Sequence, residues 1–336
     1  MKQQSKIRER IFITGINGFI GSHLAIALFE KGYHVIGGDI ATEPSQILRD
    51  YSLSLDNEKR AELLEYMELF VIDFSTAWNT SAYRDVKLIY HLASPIGVKN
   101  IIKNSNKTLR DSSAINSYVD KICEANDIPV VYASSSEVFG SNDIDSDTIF
   151  SVKKFSDSPR WSYAAAKISG EFLYSTGDYP SSIVRFFNVV GPGQVTDGMI
   201  IPTFVKKAKN NEALIILENG VRSYCDIREA IAQIVPIGIS LMKERHDSKF
   251  NKKDYNIGND KNIFDVVRVA NKIIEIFESN SVTEQDTDYD GVNILKNRKL
   301  INDNPDLLEL DVDHFTLDEI LENIRKYEEA KWKHIL

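Results

Sequence analysis

Apolar residues in this chain come in short runs, separated by longer stretches in which they recur every three or four positions. Runs at 11–14, 34–39, 69–73, 87–92, 129–134 and 182–187 have the length and residue types of strands. Several are apolar on both faces, as strands of a parallel sheet covered by helices on each side must be. Helical spacing fills the segments between, including 22–31, 111–126 and 162–174. Strand and helix in strict alternation predict a doubly wound α/β sheet. No internal repeat is visible.

After about Asn188 the rhythm loosens. A loop at 191–198 containing glycine and proline leads to a helical pattern at 201–209, and another helix is expected at 263–278. The acidic, polar stretch at 279–293 reads as an exposed loop. The second half is therefore expected to form a smaller lobe, partly threaded back into the first.

Composition acts mainly by exclusion. With 336 residues, 43% hydrophobic and 26% charged, the chain is expected to fold throughout. A net charge of −9 repels nucleic acid and acidic membranes, while local donors can still hold a small anion. Cys123 and Cys225 lie far apart without metal-ligand spacing, which suits a reducing cytoplasm and gives no metal site. No apolar run reaches transmembrane length, and the polar start at 1–10 is unlike a secretory signal. The expectation is a cytoplasmic globular protein.

The segment Thr14-Gly15-Ile16-Asn17-Gly18-Phe19-Ile20-Gly21 follows the first strand and opens the first helix. Glycine there permits a tight turn, close approach of a pyrophosphate, and packing of helix on strand. The helix N-terminus adds unpaired N–H groups and the positive end of its dipole. This setting favours a dinucleotide site over a plain turn. Asp39 ends the second strand, where a carboxylate can accept hydrogen bonds from the adenosine ribose; a helix cap or solvated loop acid is the competing reading. A carboxylate ~4 Å from a 2′-phosphate charge costs about 4 kcal/mol at an effective dielectric near 20, so an Asp39 facing the ribose selects NAD over NADP. Asp73, ending the third strand, is placed to touch adenine. His91-Leu92-Ala93-Ser94 end the fourth strand beside the cofactor, with His91 itself a packed structural histidine.

Three Tyr-x-x-x-Lys pairs occur, Tyr83/Lys87, Tyr163/Lys167 and Tyr327/Lys331. The first runs into a strand, and the third lies on a highly charged final helix, where a solvated pair is expected. Tyr163/Lys167 begins a helix between the fifth and sixth strands, so the two side chains share a face. A lysine cation beside the phenol is expected to lower its pKa, letting Tyr163 remove a hydroxyl proton while hydride leaves the same carbon for NAD. Ser134-Ser135-Ser136-Glu137 end the fifth strand, at the sheet edge where ligands of doubly wound folds bind. A serine there can hydrogen-bond the reacting oxygen, and Glu137 can act as a general acid or base.

Together these residues resemble the extended short-chain dehydrogenase/reductases, specifically the NAD-dependent nucleotide-sugar epimerase/dehydratase family. The marks are TGINGFIG (14–21), HLAS (91–94), YASSSEVFG (132–140), YAAAK (163–167), RFFNVVGP (185–192) and YNIGN (255–259). The resemblance implies a Rossmann-type NAD domain over 1–187, rejoined by 223–260. A smaller C-terminal lobe, 188–222 and 261–336, would grip a nucleoside diphosphate sugar, UDP-linked, in a homodimer. Tyr163 would be the catalytic base and Lys167 would hold the nicotinamide ribose. Ser135 would sit at the substrate hydroxyl, with Ser136 and Glu137 beside it. NAD is expected against Gly15, Asn17, Gly18, Phe19, Ile20, Gly21, Asp39, Asp73, Phe74, Leu92, Ala93, Ser94 and Ser134, besides Tyr163 and Lys167. The diphosphate sugar is expected against Ser135, Asn188, Ile200, Arg222 and Arg298, arginine because its fork matches phosphate oxygens. Three departures stand out. Ser112 occupies the place of an asparagine common in relatives, 224–229 reads YCDIRE in place of the usual valine–aspartate pattern, and the C-terminal Gly-Trp-x-Pro is absent.

Within that family all members begin by oxidising C4 of the sugar. Dehydratases carry Asp-Glu where this chain has Ser136-Glu137, so loss of water is disfavoured. Decarboxylases of UDP-glucuronate carry Ser-Glu, and epimerases tolerate many residues there. Epimerisation is the leading expectation, with decarboxylation close behind. A simple dehydrogenase and a non-catalytic NAD-binding regulator stay open.

Overall fold

The computed structural model describes residues 8–76, 79–95, 97–140, 159, 161–194, 198–286, 299–300 and 304–333. The chain opens with β1 (Arg10–Thr14), α1 (Phe19–Glu30), β2 (His34–Asp39), α2 (Gln46–Ser54), α3 (Asn57–Tyr66) and β3 (Met67–Val71). It continues through β4 (Val86–His91), α4 (Val98–Lys103), α5 (Ser105–Asn126), β5 (Val130–Ser135), α6 (Trp161–Thr176) and β6 (Ser181–Phe186). Then follow β7 (Val189–Val190), α7 (Ile200–Lys209), β8 (Leu214–Ile216), β9 (Val221–Ser223), β10 (Cys225–Asp226) and α8 (Ile227–Glu244). The last elements are β11 (Lys253–Ile257), β12 (Ile263–Asp265), α9 (Val266–Ile276), β13 (Thr283–Gln285), α10 (Pro305–Leu308) and α11 (Leu317–Lys333).

Seven strands form one parallel sheet in the order β11-β6-β5-β4-β1-β2-β3. The winding reverses between β1 and β4, and the crevice at their carboxyl ends is where ligands of such sheets bind. Alternate residues of β1 serve opposite faces. Ile11 and Ile13 pack with Leu24 and Leu28 of α1 and Ile234 of α8. Phe12 joins Ile122 of α5 and Tyr174 of α6 on the other side. Both faces are thus closed by helices, which explains why the strands read as continuous apolar runs. Each such buried side chain stabilises the fold by about 1.5–3 kcal/mol. A separate cluster, with Phe204 of α7, Val269 and Ile273 of α9 and Ile320 of α11, forms the core of a smaller lobe.

Some boundaries differ from the sequence expectation. β3 lies two residues early and, among the described residues, pairs only with β2, so its apolar residues Leu69, Phe70 and Val71 are left exposed at the sheet edge. α5 begins six residues earlier than its apolar spacing shows, because its first turns are polar. The helix expected at 263–278 is divided. Residues 263–265 pair antiparallel with β9, and Asp265 then caps α9 by accepting from the Arg268 amide. Within the stretch read as loop, β13 pairs with β8. The remainder of that stretch, from 287, lies outside the described residues. No helix among the described residues is long and apolar enough to cross a membrane.

Candidate active site

The glycine loop turns tightly because Gly15 adopts φ +74°, a region that side chains disfavour. A Cβ on Gly21 would stand 2.2 Å from the Gly15 carbonyl oxygen, so helix and turn meet as closely as backbone allows. Gly18 is the N-cap of α1, with no side-chain cap and no acid in the first turn. The opening amides, from Phe19, Ile20 and Gly21, therefore present donors and a positive dipole end to an anion. This cradle fits a dinucleotide pyrophosphate.

Asp39 lies beside the loop. Its two oxygens accept from the amides of Asn17 (3.0 Å) and Ala41 (3.1 Å). The Asn17 side chain accepts from the amide of Ser45, the cap of α2 (2.9 Å), so it ties α2 to the loop. Leu92 and Ala93 are half-buried, and both amides donate to Thr14 Oγ1. Ser94 is half-buried as well. Asp73 stands two residues beyond the end of β3, in a turn where its carboxylate accepts from Ser75, holding its pKa low. The Phe74 ring is 3% exposed and packs against Phe12 and Tyr118, which leaves its backbone and not its ring for a ligand.

At the carboxyl end of β5 the structure brings together Ser135, Glu137, Tyr163 and Lys167. Ser135 Oγ accepts from the Glu137 amide (3.2 Å), and its hydroxyl acts on the Tyr163 phenol to lower its pKa. Ser136 is buried in the short helical turn 136–139. Tyr163 and Lys167 both lie on α6, and the Lys167 Nζ stands 5.6 Å from the Tyr163 ring centre. That ammonium is committed to the Ala133 carbonyl (2.7 Å).

The electrostatics correct one expectation. The Tyr163 phenol is pushed above its ordinary range, first by burial and then by the Glu137 carboxylate; the Ser135 hydrogen bond opposes both. Burial also drives the Lys167 ammonium down to about 7, against the pull of Glu171. Lys167 alone therefore does not make a phenolate here, because desolvation weakens both charged forms. Ser134, expected at the cofactor, gives its hydroxyl to Glu171, whose carboxylate grips Arg185 at 2.7 and 2.8 Å.

Of the residues expected around the sugar diphosphate, Asn188 donates its side-chain amide to the Ser223 carbonyl (2.9 Å). Arg222 lies buried on β9, one strand-end from it, with Nη1 donating to the Val221 carbonyl. Ile200 opens α7 and packs on the lobe core. Arg298 lies outside the described residues. The divergent segment 224–229 has a structural use: Asp226 caps α8, and Glu229 is fully buried between Asn259 and His314. Ser112 is buried with its hydroxyl unpaired among the described residues.

The other two Tyr/Lys pairs separate as follows. Tyr83 is buried in a short turn while Lys87 lies on β4, so they share no helical face. Tyr327 is not merely solvated: it is half-buried and donates to Asp50 of α2 (2.7 Å), docking α11 on α2. His91 is 1% exposed between Thr14 and Asn116, with burial pushing its pKa down to about 3, as a packed histidine should be. Asn116 was missed from the sequence. It lies on the buried stripe of α5, which reads Thr108, Ser112, Asn116, Val119 and Cys123, and this polar content was the available signal. Among the described residues no group of three or more His, Cys, Asp or Glu could hold a metal ion.

A family model described as the NAD dependent epimerase/dehydratase family matches residues 11–258. Protein CapI of Staphylococcus aureus is 30% identical over 272 residues, covering 74% of this chain and 78% of that protein. The UDP-N-acetyl-alpha-D-glucosaminuronate decarboxylase of Bacillus cytotoxicus is 27% identical over 266 residues, 76% of each. UDP-glucuronate 4-epimerase 1 of Arabidopsis thaliana is 32% identical over 193 residues, 54% of this chain and 43% of that protein. The crystal structure of UDP-glucuronic acid 4-epimerase from Bacillus cereus, in complex with UDP-glucuronic acid and NAD, superposes with a TM-score of 0.77. It has 20% identity and covers 96% of this chain and 99% of that one, a likeness of fold.

Proposed function

This chain belongs to the NAD-dependent epimerase/dehydratase family, and we propose that it is a 4-epimerase of a UDP-linked sugar, a uronic acid, acting through a 4-keto intermediate. The observation that carries this reading is the Ser135–Tyr163–Lys167 cluster at the carboxyl end of β5, across the switch point from the glycine cradle. NAD, the cofactor of the family, supplies the hydride acceptor and a positive ring when bound. Ser135 holds the C4 hydroxyl beside Tyr163, and Tyr163 takes its proton. Lys167, capable of gaining or losing a proton near pH 7, favours the phenolate in its charged form. Asn188 and Arg222 face the diphosphate. Epimerisation then needs only that the keto sugar turn over before hydride returns.

A uronic acid is supported by the named substrates of two relatives, a glucuronate epimerase and a glucosaminuronate decarboxylase. The second of these supports an alternative reading, UDP-uronate decarboxylation, favoured by Glu137 standing near enough to Tyr163 to raise its pKa. A 4-keto uronate is a β-keto acid that can lose carbon dioxide, and a carboxyl group there can return the proton. Loss of water is disfavoured, since Ser136 cannot protonate a departing hydroxyl. We take the protein to work in the cytoplasm as a homodimer through α5 and α6, where Phe172 is 69% exposed.

Tyr163→Phe tests the assignment. It deletes the proton acceptor and should lower kcat by about 10²–10⁴-fold with NAD still bound. Steady-state assays finding activity within tenfold of wild type would remove Tyr163 from the reaction and move weight to a regulator.

A further inference from the structure

Beneath the cradle a chain of buried polar groups runs from the end of β1 to the first turns of α6. Thr14 Oγ1 accepts from two amides, Leu92 (3.1 Å) and Ala93 (3.0 Å). A hydroxyl has two acceptor sites and one hydrogen. With both sites facing amides, of which that of Leu92 is shared with the Thr14 carbonyl (3.2 Å), its hydrogen is left for His91 Nδ1, 2.8 Å away. His91 is then neutral with its proton on Nε2, which donates to Asn116 Oδ1 at 3.0 Å. The Asn116 NH₂ group and the Tyr132 phenol lie together against Gly170, where a Cβ would stand 2.8 and 2.2 Å from them. Tyr132 in turn donates to the Lys167 carbonyl, at a long 3.5 Å. From Thr14 through His91 to Asn116 the donors point the same way, and neither link can be reversed alone.

Other contacts fix the series in place. Tyr174 Oη donates to the Asn116 carbonyl (2.9 Å). A Cβ on Gly170 would stand 2.2 Å from Tyr132 Oη, so α6 approaches β5 as closely as glycine permits. The Lys167 Nζ lies 5.2 Å from the Tyr132 ring centre. His91 and Asn116 touch neither the Tyr163 phenol nor the cradle's anion-binding amides, but they lie between the strand ends beneath the cradle and the Tyr132 that meets the Lys167 carbonyl.

We propose that His91 and Asn116 are positioning residues, whose directed hydrogen bonds, packed at Gly170 against the Tyr132 that meets the Lys167 carbonyl, hold Lys167 in register with the cofactor loop. The inference rests on the reading of Tyr163 and Lys167 as the reaction centre. Its value to the reaction is geometric, since an error of ~1 Å in such placement can cost about 10²-fold in rate.

The test has two parts, both on the full chain. Nitrogen-15 imidazole spectra, with His91 assigned through His91→Gln, should show a neutral ring protonated on Nε2 throughout pH 6 to 9. A proton on Nδ1, or titration in that range, would overturn the series. Asn116→Leu keeps the shape and removes the acceptor for His91; it should lower kcat at least about tenfold with the sugar KM within about threefold. Asn116→Asp restores the acceptor for His91 but draws the Tyr132 proton away from Lys167, so it should keep the tautomer and leave kcat low. Wild-type kcat in Asn116→Leu would overturn the proposal. If that variant does not fold, Tyr132→Phe breaks the last link and should show the same split. The imidazole result does not depend on catalysis, so failure of the Tyr163→Phe test leaves it standing, and the two failures are told apart.

Discussion

Lys167 shows how one side chain is set by its surroundings. It is 5% exposed, its ammonium rests on a single carbonyl, and desolvation lowers its pKa to about 7 from 10.5. Between those values the unfolded chain binds a proton that the folded chain does not, so the Lys167 contribution to stability rises with pH from 7 to about 10. Below 7 the folded protein carries the full cost of a buried charge. Urea denaturation of the ligand-free protein should therefore show wild type gaining on Lys167→Met across that window; a constant difference would mean that Lys167 keeps its ordinary pKa. The glycine loop and the Tyr163/Lys167 spacing were legible at this scale because each is a local signal, a few residues in one turn. The lowering of the Tyr163 pKa was misjudged because burial and Glu137 come from the tertiary fold, which spacing alone does not reveal.

Between elements, the tie between β6 and α6 is a buried ion pair. Arg185 makes two hydrogen bonds to Glu171, which also receives the Ser134 hydroxyl from β5. Arg185→Leu would leave the Glu171 carboxylate buried without its counter-charge, and chemical denaturation should show a loss of about 3–5 kcal/mol. A loss under 1 kcal/mol would mean that Glu171 is hydrated or protonated in the folded state. The strands of the main sheet were readable because burial on both faces writes itself as an apolar run. Residues 263–265 were not, because Ile263 and Phe264 continue the apolar pattern of α9 and only the Asp265 cap marks the break. The pairing of Arg185 with Glu171, like that of His91 with Asn116, joins residues on different elements and leaves no periodic trace.

Across the molecule, the sheet order places cradle and reaction centre at the carboxyl ends of β1 and β5, with β4 between them, and α11 reaches back to α2 through Tyr327 and Asp50. α5 and α6 lie side by side with a shallow groove between them, lined by Ser113, Ser117, Ser169, Phe172 and Leu173. If two copies meet there, Phe172→Glu should give monomers in sedimentation velocity while NAD stays bound; an unchanged dimer would place the interface elsewhere. The measurement that bears most directly on the account is mass spectrometry and chromatography of the products formed from UDP-glucuronate by the purified protein with NAD. The expected result is an unchanged mass with a new peak corresponding to the C4 epimer, and no net NADH. Loss of carbon dioxide would establish the decarboxylase instead, and loss of water, or NADH accumulating with product, would contradict the proposed chemistry.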